Sequence, residues 1–452
     1  MTDKANIKAR TMLVAFRATN VRSFRDPLEF SMEGTAVSEP SVPRELPWRK
    51  GGRTPVRVLP VAGVFGANAS GKTNLLRAMD DMRRIVLTSF AGSTSRRRKP
   101  RRILRPPFKL DPGCVDAPSR YEVEVIIDGI RYEYGFEITD HEVISEWATH
   151  YPKGRPASIF KRSLRDLNFT GDLLSDQAKP LSRIMRPESL FLSVAGELEI
   201  PELEPLVKWF DENLLLCAAA SRENRWHYTA SLLKDESLRE KVLNLIQIAD
   251  LGITDVHTLR PDAETLERIK KAFESLSDTD EESEPFEIDE DTIVRFRMSH
   301  QGSHGVVDLD SAEESQGTLV WFGVAGPVIS ALTEGCVLLA DELESSLHPE
   351  LVAQLVKIFQ DPKSNPNNAQ LIFNSHEARL LGNSADDRTI GRDQAWFTEK
   401  DFDGSTRIYP LTDLNPRKSE AIARRYTEGR YGATPLVSGA EFHSLASDIA
   451  AS

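Results

Sequence analysis

The most chemically committed residues of this chain fall in three short stretches. The first, "GANASGKT" (66–73), matches G-x-x-x-x-G-K-[ST] with Gly66, Gly71, Lys72 and Thr73 at the fixed positions. Glycines at these places let the backbone curl so that its N–H groups face an anion, and a helix N-terminus adds its positive dipole end. Gly66, Asn68, Ala69, Ser70, Gly71, Lys72, Thr73 and Asn74 together form a candidate phosphate cradle. Lys72 would reach the β- and γ-phosphates of a nucleotide such as ATP, and the Thr73 hydroxyl would bind Mg²⁺. The second stretch, "VLLADELESSLHP", brings Asp341 and Glu342 to the end of an apolar run, the C-terminal edge at which parallel strands place their ligands. Asp341 would complete the Mg²⁺ shell and Glu342 would orient or deprotonate an attacking water. Alone, such an acidic pair also reads as a helix start. The third stretch, "IFNSHEA", sets His376 34 residues beyond Glu342, where a γ-phosphate sensor would stand.

These residues need particular elements to position them. "VRVLPVAGVF" is apolar enough for a strand buried on both faces. After the glycine loop, Leu75, Leu76, Met79, Met82, Ile85 and Val86 recur at helical spacing. "LVAFRATNVRSFRDPLEFSM" alternates as one or two strands, and "SRYEVEVIIDGIRYEYGFEI" predicts a hairpin turning at Asp128-Gly129. Helices are expected over 203–210, 237–248, 317–332 and 349–359, with strands at 292–298, at "CVLLADE" and at "QLIFNSH". The expected architecture is α/β: a P-loop ATPase head made of residues 1–90 and 292–452, interrupted by a large α+β insertion over 91–291.

Composition narrows the class. The 452 residues are 40% hydrophobic and 28% charged, as in ordinary globular proteins. Three scattered cysteines build neither a disulfide framework nor a CxxC metal site, so a reducing cytoplasm is the expected location. The N-terminal apolar run is too short for a signal peptide, and Gln316 to Thr333 is too short and glycine-rich for a membrane span. The net charge of −12 argues against a surface coated for nucleic acid. The charge is uneven, however. "SRRRKPRRILR" packs Arg96, Arg97, Arg98, Lys99, Arg101, Arg102 and Arg105 together, while Asp278 to Asp291 holds nine carboxylates and no base. Such blocks are usually solvated, and here they are candidate partner surfaces. Nucleic-acid binding by the basic block stays open.

Taken together, the motifs resemble ABC-type ATPases, and more closely the stand-alone branch that includes SMC-like repair ATPases, OLD-type proteins and many anti-phage ATPases. "SSLHP" (345–349) follows the acidic pair as in that branch, and "EESQGT" is similar to its dimerisation signature. The resemblance implies that Ser315 and Gly317 contact the γ-phosphate bound by a second copy, so that heads pair head-to-tail. "NVRSF", "PFKLDP", "RDQAWFTEKD" and "RYTEGRYGATP" are similar to an AAA-domain subgroup of the abortive-infection type. That subgroup implies a phage-derived trigger and an effector partner such as a Toprim nuclease, as in the PARIS defence system. Two alternatives remain: an SMC-like DNA-binding repair ATPase, and an OLD-type nuclease in its own right. The nuclease would need Glu399, Asp401 and Asp403 as a metal centre, but their stretch reads better as a hairpin turning at Asp403-Gly404.

Overall fold

A computed structural model describes residues 11–38, 42–48, 54–90, 102–170, 185–198, 200–218, 222–249, 252–259, 295–435 and 439–451. The chain starts with β1 (Met12–Thr19) and β2 (Leu28–Ser31), then the short pair β3 (Arg44–Leu46) and β4 (Val56–Val58). After Pro60, which cannot donate to a ladder, comes β5 (Val61–Gly66), buried at every residue. Helix α1 (Lys72–Thr88) follows the glycine loop and buries the six apolar residues expected of it. A short turn α2 (Pro112–Asp116) precedes a meander, β6 (Ser119–Ile127), β7 (Ile130–Ile138), β8 (Val143–His150), β9 (Ala157–Ser163) and β10 (Asp166–Phe169). Asp128 and Gly129 at its first turn have φ of 50° and 76°, the left-handed pair that a two-residue hairpin demands.

Next come α3 (Phe191–Glu197), α4 (Glu204–Glu212), β11 (Leu214–Cys217), α5 (Arg222–Leu232) and α6 (Glu236–Ile248). The Asp235 carboxylate caps α6 by accepting from Ser237 N and Leu238 N. Strands β12 (Ile253–Leu259), β13 (Arg295–Gly302) and β14 (Gly305–Asp310) form their own antiparallel sheet. Helix α7 (Gln316–Glu334) starts at the Ser315 cap and ends at Gly335, whose φ of 81° suits a glycine stop. The remainder is β15 (Val337–Ala340), α8 (Pro349–Gln360), β16 (Gln370–Ser375), β17 (Ala395–Lys400), β18 (Thr406–Pro410), α9 (Ile422–Thr427) and α10 (Gly439–Ala451).

The fold is mixed α/β. A six-stranded sheet of order β11-β15-β16-β5-β17-β18 is parallel except for β18, and a seven-stranded antiparallel sheet runs β10-β9-β8-β7-β6-β1-β2. The parallel sheet divides the core by strand alternation. On β5, Ala62 and Val64 face a cluster shared with α1, α3, α4 and the antiparallel sheet. Val61 and Phe65 face a second cluster with α7 and α8. α7 is the one described helix long and apolar enough to cross a membrane, and it is largely buried in that second cluster, as a core helix is.

The segment 91–291, expected as a large α+β insertion, is joined to the rest of the chain by strand pairing. β6 hydrogen-bonds to β1, and β11 joins the parallel sheet beside β15. The segment thus supplies most of one sheet and an edge of the other. Within the segment, Glu146, fully buried, accepts from Tyr134 Oη, Phe191 N and Leu192 N and lies 3.6 Å from Arg162, which ties β8 to the start of α3. The basic block is corrected in part. Arg102 and Arg105 both bind Asp140; the Arg105 side chain, 1% exposed, also donates to Val115 O, Ala117 O and Ser119 Oγ and is structural, whereas Arg102 remains 69% exposed. Arg96, Arg97, Arg98, Lys99 and Arg101 lie outside the described residues, as does the acidic block Asp278 to Asp291.

Candidate functional site

The glycine loop joins β5 to α1 and is held in shape by the C-terminal hairpin. A Cβ on Gly66 would sit 2.5 Å from Thr398 Oγ1 and 2.6 Å from Ser70 Oγ, so only glycine fits. Ala69 and Gly71 have φ of 60° and 107°, which turns the loop back on itself. Ser70 Oγ lies 2.7 Å from Thr398 Oγ1, and Ser70 O accepts from Thr406 Oγ1 at 2.9 Å. Asn74 Nδ2 donates to Ser23 Oγ at 2.8 Å, which brings the "NVRSF" stretch into the loop's support. Behind β17, Tyr426 and Tyr431 of "RYTEGRYGATP" stack on Phe397. Ser23 and Thr398 lie in the "NVRSF" and "RDQAWFTEKD" stretches but were given no role there, and Thr406 carries no motif signal, so sequence reasoning missed all three.

Lys72 Nζ donates to Gly66 O and Ala67 O, each at 2.9 Å. Burial lowers its ammonium pKa to about 8, against the opposing pull of Glu344, Glu342 and Asp341. One residue on, Thr73 Oγ1 donates to Asp341 Oδ1 at 2.8 Å across 268 residues of sequence. A hydroxyl and a carboxylate side by side at the phosphate loop suit a hard cation such as Mg²⁺, with phosphate and water oxygens completing its shell. Among the described residues no cluster of three or more His, Cys, Asp or Glu could hold a metal. Glu399, Asp401 and Asp403 accordingly form no Toprim-like centre, and Asp403 instead caps its own hairpin by accepting from Ser405 N and Oγ.

Asn374, which sequence reasoning also missed, lies at the middle of the site with no exposed surface. Its Nδ2 donates to Asp341 Oδ1 at 2.6 Å and reaches Thr73 Oγ1 at 3.2 Å, while its Oδ1 accepts from Glu342 N. Glu342 has φ of 51°, a left-handed conformation that costs an L-residue about 1–2 kcal/mol. Its side chain is exposed beside the loop. His376, two residues after Asn374, stands exposed at the rim, and its N–H donates to Glu344 Oε1 at 2.5 Å. Partial burial of the ring and the Lys72 ammonium hold its pKa below the ordinary value against Glu344 and Glu342, which leaves a neutral imidazole at pH 7.

The structure brings Lys72, Thr73, Asp341, Glu342 and His376 to one place. Ser315 and Gly317 are positioned differently. Ser315 is exposed at the start of α7 and accepts from Thr318 N at 3.1 Å, with no hydrogen bond to the glycine loop among the described residues. A Cβ on Gly317 would lie 3.1 Å from Ser346 O, so this glycine lets the helix start approach the turn after Glu342.

Among solved structures, the chain is similar to the SMC head domain from Thermotoga maritima (11% identity, TM-score 0.37, 88% of this chain and 98% of that one). It is also similar to an SMC head bound to the C-terminal winged-helix domain of ScpA (10%, 0.39, 89% and 99%). A third likeness is the SMC head domain with an extended coiled coil, bound to the C-terminal domain of ScpA derived from Pyrococcus furiosus (11%, 0.34, 90% and 98%). No curated protein matches the chain. Residues 61–382, well over half of the sequence, match the family described as "AAA domain, putative AbiEii toxin, Type IV TA system". That stretch runs from the first residue of β5 past His376 and so contains the glycine loop, the acidic pair and the histidine, and the chain belongs to this AAA-domain family.

Proposed function

We propose that the chain binds ATP with Mg²⁺ and hydrolyses it in sites completed by a second copy, as an ABC-type switch in anti-phage defence. The observation that carries the ATPase reading is the single network Thr73–Asp341–Asn374–Glu342, which joins phosphate loop, metal ligands and a carboxylate in one place. Lys72 would exchange its two carbonyl bonds for phosphate oxygens, and the loop N–H groups would take the remaining negative charge. Thr73 and Asp341 would hold Mg²⁺, which when bound neutralises phosphate charge. Glu342 would orient the attacking water and accept its proton. His376, neutral, would hydrogen-bond at the terminal phosphate without adding charge. The exposed Ser315 hydroxyl and the α7 N-terminus would close the site of the other copy.

The defence role follows the resemblance described above and the family's own description. A cytoplasmic effector partner, such as a Toprim nuclease, and a phage-derived trigger belong to the same proposal, with nucleic acid as a further candidate ligand of the basic block. The direct test is ATP hydrolysis by purified protein with and without Mg²⁺. Lys72→Ala is expected to lose nucleotide binding, and Glu342→Gln to bind ATP and stop turning it over. Metal-independent hydrolysis, or full turnover in Glu342→Gln, would refute the assignment.

A further inference from the structure

We propose that Asn374 is a positioning residue of the nucleotide site, one amide that sets both the metal-ligand pair and the water-activating carboxylate. The proposal rests on the ATPase reading above and extends it to a residue of the "IFNSHEA" stretch that was given no role in that reading. Topology places Asn374 there. β16 lies between β15, which delivers Asp341, and β5, which delivers the glycine loop, so β16 alone pairs with both. Asn374 opposes Val64 near the C-terminal end of that middle strand. A side chain at this point reaches Thr73 on one side and the Asp341–Glu342 turn on the other.

The chemistry of the contacts fixes the amide's orientation. Glu342 N can only donate, so it must face Oδ1. The Asp341 carboxylate only accepts, so it must face Nδ2. A flipped amide would oppose donor to donor and acceptor to acceptor. Because the site is buried, each of these bonds is costly to leave unmade. Two consequences follow. The Nδ2 bonds hold Asp341 Oδ1 and Thr73 Oγ1 at one separation, which pre-forms the pair that meets the cation. The Oδ1 bond anchors the main chain of Glu342 in its left-handed conformation, which determines where the carboxylate projects. A further tie from the same strand end, His376 N to Glu344 Oε1, fastens the other side of that turn.

A purely structural asparagine would affect stability alone, so the test reads the metal requirement. Binding of a fluorescent ATP analogue to the full chain is titrated with Mg²⁺, and turnover is measured in parallel. Asn374→Ala removes the donor to both metal ligands. Its half-saturating Mg²⁺ concentration is expected to rise about 10–100-fold, the usual loss when an outer partner of a metal ligand is removed. Metal-free binding of the analogue should change less than the metal requirement does, since Lys72 and its contacts are untouched. Asn374→Asp keeps the volume and the oxygen facing Glu342 N but turns a second anion toward Asp341. Its half-saturating Mg²⁺ concentration is expected to fall, and its kcat at saturating metal to exceed that of Asn374→Ala.

Movement of the metal requirement in opposite directions supports the proposal. An unchanged metal requirement in Asn374→Asp, or equal kcat in the two variants, overturns it. Should Asn374→Ala fail to fold, the Asn374→Asp comparison with wild type decides. A wild-type protein that binds the analogue with Mg²⁺ yet never hydrolyses ATP sinks the ATPase reading, while the binding titration still judges Asn374.

Discussion

Glu342 offers a test in which stability and activity separate. Its φ of 51° is reached without glycine, and the Asn374 amide holds its N–H in place. Alanine and glycine at this position both delete the carboxylate, so any difference between them reports the backbone. In an ordinary helical position glycine is about 1 kcal/mol less stable than alanine. Here alanine keeps a left-handed strain of about 1–2 kcal/mol, which glycine does not feel. Glycine in turn gives back about 0.5–1 kcal/mol of unfolded-chain entropy. The balance leaves Glu342→Gly level with Glu342→Ala or more stable by up to about 1.5 kcal/mol, the reverse of the usual order. Urea unfolding of the two variants, compared at equal slope, measures this, and neither variant should turn over ATP. If alanine proves more stable by about 1 kcal/mol, the backbone at 342 is unstrained and the account of why Asn374 is needed there fails.

Three further outcomes are expected. Because the free Lys72 ammonium titrates near 8 and bound phosphate would keep it charged, metal-free ATP affinity should fall about tenfold per unit above pH 8. Glu344, Glu342, Asp341 and His376 face Lys72, and a calorimetric titration in two buffers of different ionisation enthalpy should show proton uptake at pH 9. Lys72→Ala and Ser315→Arg proteins, each inactive alone, should regain part of the ATPase activity when mixed; a dead mixture of dimerising variants would rule out composite sites. Glu146→Ala, far from the nucleotide in sequence, should cost about 3–5 kcal/mol because it leaves Arg162 buried without its partner. A loss under 1 kcal/mol would show that this ion pair does not hold the meander to α3.

Legibility in the sequence followed how local each signal was. The glycine loop, α1 and β15 each declare themselves within a dozen residues, through fixed spacing, a 3.6-residue period or an unbroken apolar run. The two hairpins were equally readable, because Asp-Gly in a tight turn satisfies positive φ within the pair itself. β11 was not readable. It is four residues long, "LLLC", and becomes a strand only by pairing with Val337–Ala340, more than a hundred residues later. The pairing of β6 was hidden for the same reason. Nothing within "SRYEVEVII" says that its partner is β1 rather than another strand of an independent domain.

The supporting residues of the site follow the same rule. Ser23 contacts Thr406 across 383 residues, Ser70 contacts Thr398 across 328, and Asn374 contacts Thr73 across 301. Each is a small polar residue whose local role would be satisfied by a turn or a ladder, so composition and periodicity give it no weight. Their common feature is hydrogen bonding to partners far away in sequence, and Ser70, Asn374, Thr398 and Thr406 are also buried, a setting that only the assembled sheet supplies. The residues that would touch phosphate and metal come from motifs that can be read one segment at a time. The residues that hold those motifs at fixed separation come from the strand between them and from the hairpin beside them. A substitution in that second group should therefore alter how well metal, water and phosphate are aligned before it alters whether nucleotide binds.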